Sequence, residues 1–107
     1  MTTILVTVGE GDGRRQLGNP EALVRKVLGD SGKIIYEYNL PRYARYIQER
    51  VAQGLVIPRG HGDYNTLQNM ESYLGELNIP VLEAFRSLNA KKDFENWLKR
   101  NFEGGRE

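Results

Sequence analysis

The sequence predicts an α/β protein with helices on both faces of a parallel sheet. Three observations carry this. Four short apolar runs alternate with four stretches of helical periodicity along a single domain of 107 residues, 1–107. Gly, Pro and Asn punctuate the junctions. Two of the apolar runs are free of charge, whereas the other two each carry a glutamate.

The first run, Ile4-Leu5-Val6-Thr7-Val8, is rich in β-branched residues and stops at Gly9, so it reads as a buried strand. A long loop follows from Gly9 to Gly18. Asn19-Pro20-Glu21 opens a helix: Asn suits the cap, Pro the first helical position, and Glu the positive helix end. Leu23, Val24, Val27 and Leu28 form its apolar stripe, and Gly29-Asp30-Ser31-Gly32 ends it. Ile34 to Tyr38 is the second strand. Leu40-Pro41 begins a helix with Tyr43, Ile47 and Val51 on one face, and Gly54 stops it. Leu55-Val56-Ile57 is the third strand. Arg59 to Thr66 is a second Gly-rich loop, and Asn65 or Thr66 is the expected cap of the next helix. Leu67, Met70, Leu74 and Leu77 stripe that helix, and Gly75 inside it points to close packing on the sheet. Val81 to Phe85 is the fourth strand. The last helix runs from Ala90 to Phe102, with Phe94, Trp97, Leu98 and Phe102 inward and Lys91, Lys92, Glu95, Lys99 and Arg100 outward.

Glu37 and Glu83 read as mid-strand charges, which an edge strand tolerates better than a central one. The expected order is therefore 2-1-3-4, giving a three-layer α/β/α Rossmann-like sandwich. Right-handed crossovers then send the chain opposite ways after strands one and three. The gap between those two strand ends is where open α/β sheets bind ligands, and both Gly-rich loops start there.

Composition narrows the partners. Fifteen basic against 14 acidic residues give a net charge of +1, so no general basic field is present to hold long nucleic acid. The absence of cysteine excludes disulfides, thiolate metal sites and a cysteine nucleophile. No apolar run approaches the roughly 18 residues of a membrane span, and a cytoplasmic location is expected.

Gly9, Gly11 and Gly13 let backbone N–H groups approach an anion, with the following helix end adding partial positive charge. Arg14, Arg15 and Arg59 supply forked donors for phosphate. Glu10 and Asp12 repel phosphate unless they meet ribose hydroxyls or a divalent metal. The spacing is neither the dinucleotide nor the P-loop pattern, and a polar surface loop has the same composition. His61, between Gly60 and Gly62, is the only histidine and is suited to proton transfer. Asp63 is placed to orient it, and Tyr64, Asn65 and Thr66 add hydrogen-bonding groups. A surface histidine that fixes the turn is the other reading. An oxygen-rich metal set of Glu10, Asp12, His61 and Asp63 is conceivable, but no diagnostic spacing marks it, so neither metal nor cofactor is expected. Arg86, after the fourth strand, can reach the same mouth.

The opening Ile4-Leu5-Val6-Thr7-Val8-Gly9 resembles the start of CARF domains, the Rossmann-like sensors of cyclic oligoadenylate in type III CRISPR defence, and also that of small glycosyltransferase halves. Gly60-His61, Thr66, Leu74-Gly75 and Ile79-Pro80-Val81 are similar to a run in viral ring nucleases. That resemblance implies cleavage of cyclic tetraadenylate, with His61 as the catalytic histidine and Arg86 as the downstream arginine. The ribose 2′-hydroxyl would attack, without a metal. The expected ligand is thus a nucleotide or cyclic oligonucleotide. The alternative is a non-catalytic binding or interaction module, a sensor or viral inhibitor. A glycosyltransferase-like or NAD-linked activity is a third reading. A homodimer is expected, because a symmetric ligand needs two copies and Tyr43, Tyr46 and Tyr73 can supply aromatic contacts.

Overall fold

Strand β1 (Thr2–Val6) lies at the centre of the sheet, between β2 (Gly32–Tyr36) and β3 (Gly54–Val56), with β4 (Val81–Leu82) beyond β3. The computed structural model describes residues 1–7, 15–60 and 63–103. Among these the sheet has four strands, all parallel, in the order β2-β1-β3-β4. The expected order is therefore the observed one. In register, Val6 stands beside Tyr36 on one side and Val56 on the other. The ladder runs one residue further, since the Thr7 amide donates to the Val56 carbonyl and the Glu37 amide to the Val6 carbonyl.

Among the described residues four helices of nine or more residues cover the sheet: α1 (Pro20–Leu28), α2 (Leu40–Gln48), α3 (Asp63–Leu74) and α4 (Ala90–Leu98), the last continuing as a π-helical turn, Lys99–Glu103. Alternation along β1 sends Ile4 and Val6 to one face and Leu5 to the other. Ile4 and Val6 pack with Val24 and Val27 of α1 and with Phe94, Trp97 and Leu98 of α4. Leu5 packs with Tyr43 and Ala44 of α2 and Met70 of α3. Both faces are thus buried, as an all-parallel sheet requires. The layout is an α/β Rossmann-like one, and no helix among the described residues is long and apolar enough to cross a membrane.

Several boundaries differ from the sequence reading. The stretch read as loop up to Gly18 contains a helical turn at residues 15–17, because Leu17 is wholly buried in the α1–α4 core. Strands one to three end one or two residues earlier than expected. Glu37 and Glu83 are consequently not mid-strand: each is the first residue past its strand. The fourth strand stops at Leu82, and Ala84–Arg86 is a 3-10 turn. α2 ends at Gln48, well before Gly54, which instead begins β3. α3 starts at Asp63, so Asn65 and Thr66 lie in its first turn rather than capping it. Gly75 is not inside the helix. It follows the last residue in the left-handed conformation, φ +77°, with its amide on the Glu71 carbonyl at 2.7 Å and open space where a Cβ would lie. Tyr43 and Tyr46 are not spare either: Tyr43 is buried in the α2–α3 core and Tyr46 packs against it.

Candidate functional site at the carboxyl edge of the sheet

The helical turn that buries Leu17 leaves its neighbour Gln16 facing the carboxyl ends of β3 and β4. Gln16 Oε1 accepts the Arg59 backbone N–H, and its Nε2 donates to the Ala84 carbonyl at 3.4 Å. One side chain therefore fastens the end of the first loop to the chain leaving β3 and to the chain leaving β4.

The 3-10 turn after β4 then organises two arginines. The Arg59 Nη2 donates to the Phe85 carbonyl at 3.1 Å. Arg86 belongs to the turn itself. Its Nε donates to Glu83 Oε1 at 2.7 Å, and its guanidinium lies 5.0 Å from the Phe85 ring centroid and 5.6 Å from that of Tyr64. These are cation–π distances. Both arginines are exposed, and each uses only part of its five-donor fork to hold position. Tyr64 is the second residue of α3, so the positive amino end of that twelve-residue helix lies on the same side.

A second, buried group lies on the α2–α3 face. Tyr43 is 4% exposed. Burial raises its phenol pKa above the usual value, the Thr66 hydrogen bond works in the lowering direction, and the Glu37 charge raises it further. The phenol is thus neutral at physiological pH. Glu37 Oε2 accepts the N–H groups of Tyr38 and Asn39 at 3.2 and 3.1 Å, with the Arg42 guanidinium 3.8 Å from the other oxygen. It locks the turn from β2 into α2. Thr7, one residue past β1, is also buried, and its Oγ1 has no hydrogen-bond partner among the described residues.

Of the residues the sequence singles out, Gly9, Glu10, Gly11, Asp12, Gly13, Arg14, His61 and Gly62 lie outside the described residues. Arg15 is exposed in the helical turn. Gly60 follows Arg59, and Asp63 opens α3. Asn65 is exposed, whereas Thr66 is half-buried and engaged with Tyr43. Arg59 and Arg86 are brought together. Tyr64, expected as a hydrogen-bond donor, instead lies under the Arg86 guanidinium, and Gln16 and Thr7 were not anticipated. Only Thr7 left a signal: a hydroxyl at the end of an otherwise apolar central strand.

A cleft of about 570 Å³ opens at the opposite, amino-terminal edge of the sheet, walled by Ile47, Ala52, Leu74, Leu77 and Pro80. Its lining includes one cation, Arg50, and one anion, Glu76. The carboxyl edge is the better candidate. Parallel sheets present helix amino ends and loop amides there, and it holds the two fastened guanidiniums. Compared with protein-family models, curated proteins and solved structures, the chain matches none of them.

Proposed function

We propose that this protein binds a phosphate ester, a nucleotide or cyclic oligonucleotide, at the carboxyl edge of its sheet. The observation that supports this most is the attachment of Arg59 and Arg86 to one short turn beside the amino end of α3. Two guanidiniums held in place lose little freedom on meeting an anion. Their remaining donors suit the paired oxygens of a phosphate.

Calorimetric titration with inorganic phosphate, AMP and cyclic tetraadenylate tests the reading. Binding should be measurable and should weaken as salt rises. Arg59→Gln and Arg86→Gln should each weaken it about tenfold to a hundredfold, the range for a hydrogen bond to a charged group. Wild type that binds none of the three, or variants that bind as wild type does, would overturn it.

A cleavage reading is favoured by one further observation. In sequence His61 lies between Arg59 and the first residue of α3, which are both parts of this edge. In that reading His61 protonates the leaving 5′-oxygen as a ribose 2′-hydroxyl attacks phosphorus. His61→Ala should then slow turnover of cyclic tetraadenylate by ~10²–10⁴-fold with little change in affinity. Binding without cleavage by the wild type would leave the protein as a sensor or sequestering module.

A further inference from the structure

The hydroxyl of Thr7 is an anomaly. The residue is only 5% exposed, and Oγ1 has no partner among the described residues. Buried hydroxyls are nearly always hydrogen-bonded, and an orphan calls for an explanation. Neighbouring polar groups do not provide a bond. The Thr66 hydroxyl is engaged with Tyr43, Glu37 Oε2 accepts the Tyr38 and Asn39 amides, and Glu37 Oε1 faces the Arg42 guanidinium at 3.8 Å. Alternation places Thr7 on the same sheet face as Leu5, which packs with Tyr43. The orphan therefore sits at the carboxyl end of the central strand, on a face where a phenol, a hydroxyl and a carboxylate converge.

We infer that Thr7 Oγ1 is the recognition point for a sugar hydroxyl of the bound ligand, so that the protein selects ribose phosphates over their deoxy counterparts. The inference rests on the phosphate-ester reading above. Three features direct it to a hydroxyl rather than to the phosphate. A neutral phenol and a neutral threonine offer no charge to an anion, and the Glu37 carboxylate repels one. A hydroxyl both donates and accepts, which is what a threonine oxygen needs. The phosphate has its own place nearby. Val6 pairs with Val56, which puts Thr7 beside Ile57. Arg59 is two residues further along the same chain, so Thr7 and the fastened arginine stand at the carboxyl ends of neighbouring strands.

Thr7→Val keeps shape and removes the hydroxyl, and Thr7→Ser keeps the hydroxyl. Calorimetric titration would compare AMP, 2′-deoxy-AMP, 3′-deoxy-AMP and inorganic phosphate on the wild type and both variants. A site built around a ligand hydroxyl discriminates strongly against an analogue that lacks it. Wild type should bind one of the two deoxy compounds at least about tenfold more weakly than AMP. Thr7→Val should lower AMP affinity to that same level and leave the deoxy compound and phosphate unchanged, and Thr7→Ser should keep the preference. Thermal unfolding checks the fold of Thr7→Val, which should melt no lower than wild type because an unpaired buried group is gone. Equal affinity of wild type for AMP and both deoxy compounds overturns the inference and spares the phosphate reading, as does a Thr7→Val protein with its discrimination intact. Failure of every compound, phosphate included, overturns both.

Discussion

Two glycines show how much a single position depends on its surroundings. A Cβ on Gly54 would lie 2.7 Å from Trp97 Cη2 and 2.9 Å from Phe102 Cζ, rings that cover the start of β3. A Cβ on Gly75 would meet nothing within 4 Å, and that residue is constrained by its positive φ alone. Asparagine tolerates the left-handed region. Gly75→Asn should therefore change stability little, whereas Gly54→Ala should cost about 1–3 kcal/mol by overpacking; chemical denaturation of the two variants measures the contrast. The sequence assigned these roles the other way round, packing to Gly75 and helix termination to Gly54. Residue spacing cannot separate them, because the neighbours that crowd Gly54 come from the far end of the chain. Tyr43 provides a second test. Its folded pKa is raised, so its contribution is fully present below the unfolded value of about 10 and is lost as pH rises through the folded one. Tyr43→Phe should flatten the alkaline limb of a melting-temperature profile, and an unchanged limb would count against the assignment.

Among the helices a shared device recurs. α1, α2 and α4 each begin after an asparagine, Asn19, Asn39 and Asn89, whose Oδ1 accepts the N–H three residues on, at 3.2, 3.1 and 3.2 Å. Replacing any one by Ala should cost ~0.5–2 kcal/mol and by Gly only a few tenths. Thermal melts should show these as drops of about 4–8 °C per kcal/mol at this size. α1 and α4 are further linked through Glu95, which bonds Lys26 at 3.0 Å and Lys99 at 3.2 Å. Those two lysines lower its pKa. The stabilisation is present above the unfolded carboxylate pKa and disappears as pH falls through the folded one, so Glu95→Gln should flatten the acid limb of the same profile. Apolar spacing made the helices legible, and Asn19-Pro20 made one cap so. The strand ends were harder to read. Tyr36-Glu37-Tyr38 continues an extended pattern, yet the chain leaves the sheet there so that the Glu37 carboxylate can bind the amides entering α2. The strand order emerged because both glutamates do terminate edge strands, although neither is inside one.

For the molecule as a whole, the sequence pointed to a candidate site by topology: the order 2-1-3-4, which the sheet has, puts a switch point between β1 and β3. What fastens the site was not legible, since Gln16 and the Phe85 carbonyl become partners of Arg59 only after residues 43 and 26 positions away fold together. Of the tyrosines expected at a subunit contact, Tyr73 alone remains exposed, at 56%. A homodimer built on it should appear in sedimentation equilibrium at micromolar concentration and weaken in Tyr73→Ala; a monomer with and without ligand would refute it. The position of β1 has a consequence for synthesis. Of the four strands β1 is the first to be made, and its partners follow some 30 and 50 residues later. Until then Thr3-Ile4-Leu5-Val6 is an apolar ribbon with two open edges, free to pair with its own copy on a neighbouring nascent chain. Crowded polysomes are then a condition under which this small domain is exposed to aggregation.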